Sequence, residues 1–388
     1  MSKWKTYKIK DITKKIISGG TPPTDKKEYY DGEIPWLNSK EIRFNFITDT
    51  EKKITEAGLK NSSAKWVEPN SVIVAMYCKG TVGKVAINKI PLTTNQACCS
   101  LIINEKIADY NFVYYYLRSS YNKLNALASG SAQQNLNIGV ISDFEISLPP
   151  LPEQRAIASI FPPIEDKIEL LRQENETLEA MAETIFKQWF IKDPENKEVL
   201  LKDIYVFEKG FEPGSSNYLE TEGDNTIRFI RLKDMDNKNS SIFIKKSLAK
   251  NICAPDDLLV AFDGSPGKIG FGIEGAFSSG IRKVYSVNET YNNVWLKYLI
   301  FKSKPIQNTI KTYSTGTIIQ HAGSCIDKLT FKFPEESKIK EFNELITPIF
   351  IKIQQNTQQI QTLSQLFDTL LHGLMSGKLR VDDVLCQS

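Results

Sequence analysis

The sequence predicts an α+β protein in which two pseudo-symmetric α/β domains are separated by a long antiparallel two-helix coiled coil. Three observations predict this fold: an ordered internal repeat, short β-branched runs that end in glycine turns, and a heptad pattern at the end of each repeat. We divide the chain into a first globular domain, a central helix, a second globular domain, a distal helix and a C-terminal tail, over residues 1–150, 151–192, 193–334, 335–376 and 377–388.

The composition is that of a globular protein of more than one domain. At roughly 100–200 residues per domain, 388 residues predict two or three domains. Hydrophobic residues make up 41% and charged residues 24%, which argues against a disordered or fibrous chain. We expect no transmembrane span, no signal peptide and no metal site, because apolar runs are short and the six cysteines form no C-x-x-C pair. A reduced, cytoplasmic protein is expected.

The repeat appears as matching segments in the same order along the chain. Residues 9–12 match 201–204, and 74–76 match 260–262. The Gly-Thr-Val-Gly-Lys segment at 80–84 then matches Gly-Ser-Pro-Gly-Lys at 264–268. One such match arises easily by chance, whereas several in the same order indicate a tandem duplication.

Within each repeat, local patterns predict the secondary structure. Residues 71–76 and 258–262 are apolar and rich in Val, Ile and Leu, and glycine turns follow them, which predicts buried strands. Residues 111–127 and 294–310 are rich in Tyr and Leu and are predicted to be helical.

The segments 164–189 and 349–374 carry apolar residues at a period of 3.5, interrupted once in each copy by Asn175 and Asn356. Charged residues between these positions, such as Glu165, are expected on the surface. The predicted seam consists of Ile164, Ile168, Leu171, Leu178, Ala182, Ile185 and Trp189 in the first copy, and of Ile349, Ile353, Ile360, Leu363, Phe367, Leu370 and Leu374 in the second.

The two heptad segments are expected to pair with each other. A whole globular repeat connects them, so an antiparallel arrangement is geometrically easy. The alternative is two separate amphipathic helices, each packing on its own domain, but a strict 3.5 repeat exceeds what such a helix needs. Pro163 and Pro348 precede the seams, and each predicts a helix start or a kink.

Charge is distributed unevenly along the chain. Residues 1–150 carry 20 basic against 14 acidic residues, and 193–334 carry 19 against 17. Residues 151–192 carry 5 against 8, and 335–388 carry 5 against 7. Because a polyanion repels an acidic segment, only the two long basic segments are expected to face DNA. The alternative explanation is that the helical segments are simply rich in glutamate.

Each apparent catalytic motif in the sequence lacks a feature that its chemistry requires. Gly270, Gly272 and Gly275 spell G-x-G-x-x-G, but no helix start follows them. The segments 80–84 and 264–268 lack the spacer and the hydroxyl residue of a phosphate-binding loop. The sequence contains no N-P-P-Y or D-P-P-Y tetrapeptide, which an adenine methyltransferase would need. It also contains no Asp…Glu-x-Lys triplet in a plausible nuclease context. No catalytic residue is therefore predicted.

Several polar residues are candidate DNA contacts. Lysine and arginine suit phosphates and guanine, the amides of Gln and Asn suit adenine, and the hydroxyls of Ser and Thr suit either groove wall. The alternative for each is an ordinary turn residue or a solvated charge. The candidates are Lys40, Arg43, Lys79, Lys84, Ser131, Gln133, Gln134 and Asn135 in the first copy, and Arg231, Lys233, Lys268, Arg282, Thr317, Gln320 and His321 in the second.

Three segments together resemble the DNA specificity (S) subunit of type I restriction-modification systems. Trp-Lys-Thr-Tyr-Lys-Ile-Lys-Asp-Ile at 4–12 resembles the family's entry into a recognition domain. Leu-Pro-Pro-Leu-Pro-Glu-Gln-Arg-Ala-Ile at 148–157 resembles its junction into the central helix, and 370–381 resembles its C-terminal end. The second junction, at 333–338, departs from the pattern, so the two helices need not engage partners symmetrically.

The resemblance implies a non-catalytic DNA-binding subunit. The globular domains would be target-recognition domains that each read one half of a bipartite sequence in double-stranded DNA. The helices would dock two methyltransferase (M) subunits, and restriction (R) subunits would join for cleavage. S-adenosylmethionine, ATP and Mg would belong to those partners, with no cofactor in this chain. Two alternatives stay open: a duplicated coiled-coil scaffold that binds only proteins, and an enzyme with an unrecognised site.

Overall fold

The computed structural model describes residues 4–77, 80–128, 135–235, 242–315 and 321–382. Its secondary structure is mixed α and β. The chain divides into two compact units, unit 1 (Met1–Leu170 with Ile360–Ser388) and unit 2 (Leu171–Gln359). Two long helices therefore contribute residues to both units. The boundaries proposed from the sequence are not tested by this division and stay a prediction.

Unit 1 contains a five-stranded sheet, a four-stranded sheet and a two-stranded ribbon. Their strands are β1 (Lys5–Lys8), β2 (Thr13–Ser18), β3 (Tyr30–Leu37), β4 (Asn45–Ile47), β5 (Lys53–Ile54), β6 (Trp66–Val67), β7 (Val72–Ala75), β8 (Val85–Asn88), β9 (Leu92–Thr94), β10 (Cys98–Ile103) and β11 (Glu145–Leu148). The strand orders are β2-β10-β7-β8-β4, β5-β3-β9-β6 and β1-β11. The helices are α1 (Glu56–Lys60), α2 (Tyr110–Ser119), α3 (Tyr121–Ala126), α4 (Ile138–Ser142), α5 (Leu151–Ala158) and the 3-10 turns Ile9–Asp11, Lys27–Tyr29 and Ser39–Glu41.

The two long helices follow the predicted heptad segments. The first is α6 (Phe161–Phe186), which continues into a π-helical turn at Lys187–Ile191. The second, numbered α10 in chain order, spans Glu336–Met375.

Unit 2 contains two four-stranded sheets and a two-stranded ribbon. Their strands are β12 (Lys197–Leu200), β13 (Val206–Lys209), β14 (Thr226–Ile230), β15 (Phe243–Lys245), β16 (Ile252–Cys253), β17 (Leu258–Ala261), β18 (Ile269–Gly270), β19 (Gly275–Phe277), β20 (Ile281–Tyr285) and β21 (Thr330–Phe333). The strand orders are β13-β20-β17-β18, β15-β14-β19-β16 and β12-β21. The helices are α7 (Leu201–Ile204), α8 (Val294–Lys302), α9 (Lys304–Thr312) and the 3-10 turns Ser215–Asn217, Leu232–Asp234, Lys246–Leu248 and Gly323–Lys328.

The strands predicted at 71–76 and 258–262 are confirmed as β7 and β17. All four residues of each strand are buried, because each strand pairs on both edges and carries apolar side chains on both faces. The predicted helices at 111–127 and 294–310 are confirmed as helical, but each is two helices. The breaks fall at Ser120 and Ser303. Pro305 lies in the first turn of α9, a position that favours the start of a new helix there.

The duplication is visible in individual backbone hydrogen bonds. The amide of Gly83 donates to Ala75 O at 2.9 Å, and Gly267 donates to Ala261 O at the same distance. A second hydrogen bond also recurs, at the residue that follows each strand. Leu136 N donates to Met76 O after β7, and Ala322 N donates to Phe262 O after β17, each at 2.7 Å. The two copies therefore share backbone geometry at positions where their side chains differ.

A parallel strand pair also recurs in the two copies. In unit 1, β3 pairs with β9, and Trp36 lies opposite Thr93. In unit 2, β14 pairs with β19, and Phe229 lies opposite Ala276. Both pairs are embedded in otherwise antiparallel sheets, an arrangement whose recurrence supports a common origin of the two copies.

The heptad residues face the interior. Each of the fourteen predicted seam residues is buried or half-buried. In unit 1, Phe161 of α6 packs against Phe367 of α10 with ring centroids 5.3 Å apart. In unit 2, Asn356 Nδ2 donates to Asn175 Oδ1 at 2.9 Å, and Phe186 packs against Phe342. Within unit 2, later residues of α6 therefore meet earlier residues of α10, so the two helices run antiparallel there.

Of the two alternatives predicted for Pro348, a helix start is wrong. Helix α10 begins at Glu336, well before this proline, and continues through it. Phe342, Ile346 and Phe350 are buried in the core of unit 2 on either side of Pro348. Their burial stabilises the helix despite the backbone hydrogen bond that a proline cannot donate. At Pro163 the predicted helix start is confirmed, because this residue lies in the first turn of α6.

No helix among the described residues combines the length and the apolar character that a membrane span requires.

Candidate nucleic-acid interface

In unit 1, two cationic turns meet around Phe44. The 3-10 turn Ser39–Glu41 carries the exposed Lys40, and Arg43 Nε donates to Lys40 O at 3.0 Å. The amide of Phe44 donates to Val85 O at 3.1 Å, beside Lys84, whose ammonium lies 6.0 Å from the centre of the Phe44 ring. Lys40, Arg43 and Lys84 are thus brought together, although they are up to 44 positions apart in the chain.

Asn135 lies next to one of the duplicated contacts. Its side chain is exposed, and the following residue, Leu136, donates its amide to Met76 O at the end of β7. The structure therefore places Asn135 close to the strand end that leads into the turn at Gly80 and Lys84.

In unit 2, the equivalent turns meet around Leu232. The 3-10 turn Leu232–Asp234 carries the exposed Lys233, and Lys268 Nζ donates to Leu232 O at 2.8 Å. A Cβ on Gly264 would lie 2.5 Å from Leu232 Cδ1, and the φ of Gly264 is +76°. Glycine is favoured here because other residues are strained at this φ and their Cβ would displace the Leu232 side chain.

Arg231 is held at the start of the same turn. Its Nε donates to Asp234 Oδ2 at 2.9 Å, and its guanidinium lies 5.8 Å from the centre of the Tyr218 ring. Because Asp234 fixes only part of the guanidinium fork, Arg231 keeps donors that it can present to a phosphate or a base.

Arg282 is placed differently from the other candidates. It is 8% exposed, and its guanidinium donates to Ser279 O at 2.6 Å and Ile281 O at 3.2 Å. Burial lowers the pKa of this side chain, and the nearby Asp263 carboxylate opposes that shift. Arg282 thus binds backbone carbonyls at the start of β20, which suits a role in holding that turn more than a role in contacting DNA.

His321 lies beside the same turn, and its ring is fixed by a carboxylate. Its Nδ1 is 2.8 Å from Asp263 Oδ1, at the residue before Gly264. The imidazole is 61% exposed, so one edge of the ring is held while the other faces solvent. The structure therefore brings Arg231, Lys233, Lys268 and His321 to one edge of unit 2.

The remaining candidates lie outside the described residues. They are Lys79, Ser131, Gln133, Gln134, Thr317 and Gln320, and their role as DNA contacts stays a prediction.

Three residues of these clusters were missed from the sequence. Phe44 and Tyr218 contribute aromatic faces to the cationic groups, and Asp263 orients His321. The sequence offered one signal for Phe44, its position directly after the candidate Arg43. In the structure Phe44 has a φ of +61°. The other two contacts join residues that are far apart in the chain, so local patterns do not indicate them.

Each unit also anchors its globular part to α6 through a glutamate. In unit 1, Tyr115 Oη and Arg118 both donate to Glu165, each at 2.6 Å. The expectation that Glu165 is a surface residue is wrong, because its side chain is only 20% exposed. Burial, together with the hydrogen bond to Glu165, raises the pKa of Tyr115. The Glu165 carboxylate is tolerated at this half-buried position because Tyr115 and Arg118 both donate hydrogen bonds to it.

In unit 2, Glu179 takes the corresponding role. It accepts hydrogen bonds from Tyr298 Oη at 2.6 Å and from Lys302 Nζ at 2.5 Å. Burial, and then the hydrogen bond to Glu179, raises the pKa of Tyr298 to about 12. A tyrosine and a cation on one glutamate therefore fasten helix α2 to α6 in unit 1 and helix α8 to α6 in unit 2.

The described residues offer no obvious metal centre. Among them, no three His, Cys, Asp or Glu side chains come close enough to share an ion.

These features define a duplicated, mixed α/β protein with a basic edge in each unit and two long helices. Comparison with known proteins agrees. Residues 1–180 match the family model of the type I restriction modification DNA specificity domain. The chain is 28% identical to the type I restriction enzyme MjaIX specificity subunit of Methanocaldococcus jannaschii, over 98% of this chain and 94% of the relative.

A second curated relative and a solved structure are also similar to this chain. The chain is 29% identical to the Escherichia coli EcoR124I/EcoR124II specificity subunit over 163 residues, which cover 40% of this chain and 39% of the relative. The crystal structure of the type I restriction-modification S subunit from M. genitalium has the same fold, with a TM-score of 0.67 over 96% of both chains at 19% identity. Residues 1–180 thus match the type I restriction modification DNA specificity domain, and the resemblance to specificity subunits is confirmed over nearly the whole chain.

Proposed function

We propose that this chain is a DNA-binding specificity subunit that recognises a bipartite sequence through two recognition domains. In this role it directs partner methyltransferase and restriction subunits to that sequence. The observation that carries the proposal is the convergence of cationic turns in each unit. In unit 1 the residues after the 3-10 turn Ser39–Glu41 contact the segment that carries Lys84, and in unit 2 the 3-10 turn Leu232–Asp234 itself contacts the segment that carries Lys268. Lysine and arginine therefore gather at comparable places of a duplicated framework.

The helices would hold the two recognition domains apart. We propose that α6 and α10 form an antiparallel coiled coil along their length, with a pseudo-symmetric recognition domain at each end. The buried seam and the Asn175–Asn356 pair support this arrangement. A polar pair inside an apolar seam fixes the register of two helices, because sliding would bury both amides without partners.

The partners and cofactors follow from the same proposal. Two M subunits would dock on the helices and methylate adenine, and R subunits would add cleavage. S-adenosylmethionine, ATP and Mg would be bound by those subunits, and this chain would carry out no chemistry. The complex would act in the cytoplasm on double-stranded DNA.

A duplicated scaffold that binds only proteins is the main alternative. Such a scaffold has no need for exposed cations at matching positions of both copies, whereas DNA phosphates require them. An unrecognised enzyme is the second alternative. Purified chain mixed with DNA and a labelled methyl donor should transfer no label, and transfer would support that alternative.

Binding of DNA by the assembled methyltransferase complex should depend steeply on salt. Lys233→Ala should weaken binding at every sequence and reduce the slope of log K against log salt by about 1, because one phosphate contact is lost. Filter binding at several salt concentrations measures the slope. The matched control is Lys340→Ala, on α10, where Lys340 pairs with Glu336. A salt-independent affinity, or equal effects of both variants, would argue for the protein-only scaffold.

A further inference from the structure

We propose that His321, held by Asp263, reads a base in the second half-site. Its Nε2 accepts a hydrogen bond from the exocyclic amino group of a base in the major groove, N6 of adenine or N4 of cytosine. This inference rests on the proposed function, because it names a reading group within one of the two recognition domains.

The hydrogen bond to Asp263 decides which ring nitrogen carries the proton. An ionised carboxylate only accepts hydrogen bonds, so Nδ1, 2.8 Å from Asp263 Oδ1, is the donor. In the neutral imidazole the other nitrogen then has a free lone pair. Within the residues that the structure describes, Nε2 has no hydrogen-bond partner, and the ring is 61% exposed. The acceptor is therefore available to a ligand.

The backbone around His321 is held on both sides. His321 N donates to Thr315 O at 2.8 Å, and Thr315 N donates to His321 O at 3.0 Å. The next amide, of Ala322, donates to Phe262 O at 2.7 Å. A group that discriminates bases must be held in place, and hydrogen bonds anchor both the ring and the backbone of His321.

The surroundings favour a nucleic acid as the ligand. Asp263 immediately precedes the glycine turn that carries Lys268, and this turn contacts the one that carries Arg231 and Lys233. Those cations would bind phosphates and place the base edges within reach of His321. The Asp263 carboxylate also interacts with the buried Arg282.

The duplicated framework supplies an independent argument. Asn135 occupies in unit 1 the position that His321 occupies in unit 2, because each directly precedes the residue whose amide bonds to the end of β7 or β17. Amides and imidazoles both hydrogen-bond to base edges. The same backbone position would thus carry a different reading group in each copy, as two different half-sites require.

The test compares variants of the assembled methyltransferase complex on DNA duplexes with a randomised second half-site. His321→Ala and Asp263→Ala should each lose base preference at the same single position, by about tenfold. Asp263→Asn should retain the preference, because its amide oxygen still accepts the Nδ1 proton. His372→Gln, which changes the other histidine of the chain, is the matched control and should leave the target unchanged.

Base analogues then identify the amino group. At the affected position, adenine is replaced by purine without the 6-amino group, or cytosine by 2-pyrimidinone. One of the two analogues should reduce methylation by the original complex about tenfold and leave methylation by the His321→Ala complex unchanged. The analogue that has this effect shows whether the base is adenine or cytosine. Unchanged base preferences in His321→Ala, or losses spread over both half-sites, would overturn the inference. Failure of the original complex to select any bipartite sequence would instead overturn the proposed function.

Discussion

Replacement of Phe342 by alanine is expected to destabilise the chain by about 3–5 kcal/mol, measured as the free energy of unfolding in urea. Phe342 is fully buried, and its ring lies 4.8 Å from that of Phe190 and 5.8 Å from that of Trp189. These rings join α10 to the end of α6 and to the β21 strand of unit 2. Truncation would leave a cavity that rigid neighbouring rings cannot fill.

Leu345→Ala is the matched control for this substitution. Leu345 lies one turn further along the same helix, and its side chain is 46% exposed. Its truncation should change the free energy of unfolding by only about 0.5 kcal/mol. A loss for Phe342→Ala no larger than that for Leu345→Ala would show that the aromatic cluster does not hold unit 2 together.

Insertion of one heptad into both long helices should lengthen the DNA spacer between the two half-sites by about three base pairs. Seven helical residues add about 10.5 Å to each helix, and successive base pairs are about 3.4 Å apart. The insertion points are Leu170/Leu171 in α6 and Gln359/Ile360 in α10, where the two units meet in sequence. Mapping of methylated adenines by sequencing measures the spacer.

The double insertion keeps the heptad register, so an insertion in one helix alone is its control. A single insertion would leave the Asn175–Asn356 pair intact but place the seam residues of unit 1 opposite the wrong partners, and it would separate Phe161 from Phe367. It should therefore abolish methylation rather than change the spacer. If the double insertion is active on the original spacer, the helices do not set the distance between half-sites.

The sequence predicted best what depends on regular local periods. The strands β7 and β17 were predicted because their residues are apolar without interruption, and the seam because its period is 3.5. The glycine turns were also predictable. Gly80, Gly83, Gly264 and Gly267 all have positive φ, which few other residues tolerate.

The packing of the long helices onto the globular parts could not be predicted in the same way. A heptad pattern describes one face of a helix, whereas α10 also presents Phe342, Ile346 and Phe350 to the core of unit 2. Glu165 follows the pattern of a surface residue, and only the distant Tyr115 and Arg118 reveal why it is half-buried. A helix that packs against both another helix and a globular core carries apolar residues on two faces, so its sequence does not follow a single heptad period.

The basic edges were predicted only as separate residues. Lysine and arginine are common on every surface, so their identity alone says little. The informative fact is that Lys268 bonds to the Leu232 carbonyl, next to Arg231 and Lys233. That contact joins segments 36 positions apart, so no local pattern in the sequence indicates it.

Genome-wide mapping of methylated adenines tests the central claim most directly. A host that expresses this chain with its methyltransferase partner should carry methyl groups at one bipartite sequence, with half-sites about one duplex turn apart. Exchange of residues 193–334 for those of another specificity subunit should alter one half-site and preserve the other. Methylation at a single continuous sequence, or a change of both half-sites on that exchange, would contradict two independent recognition domains within one chain.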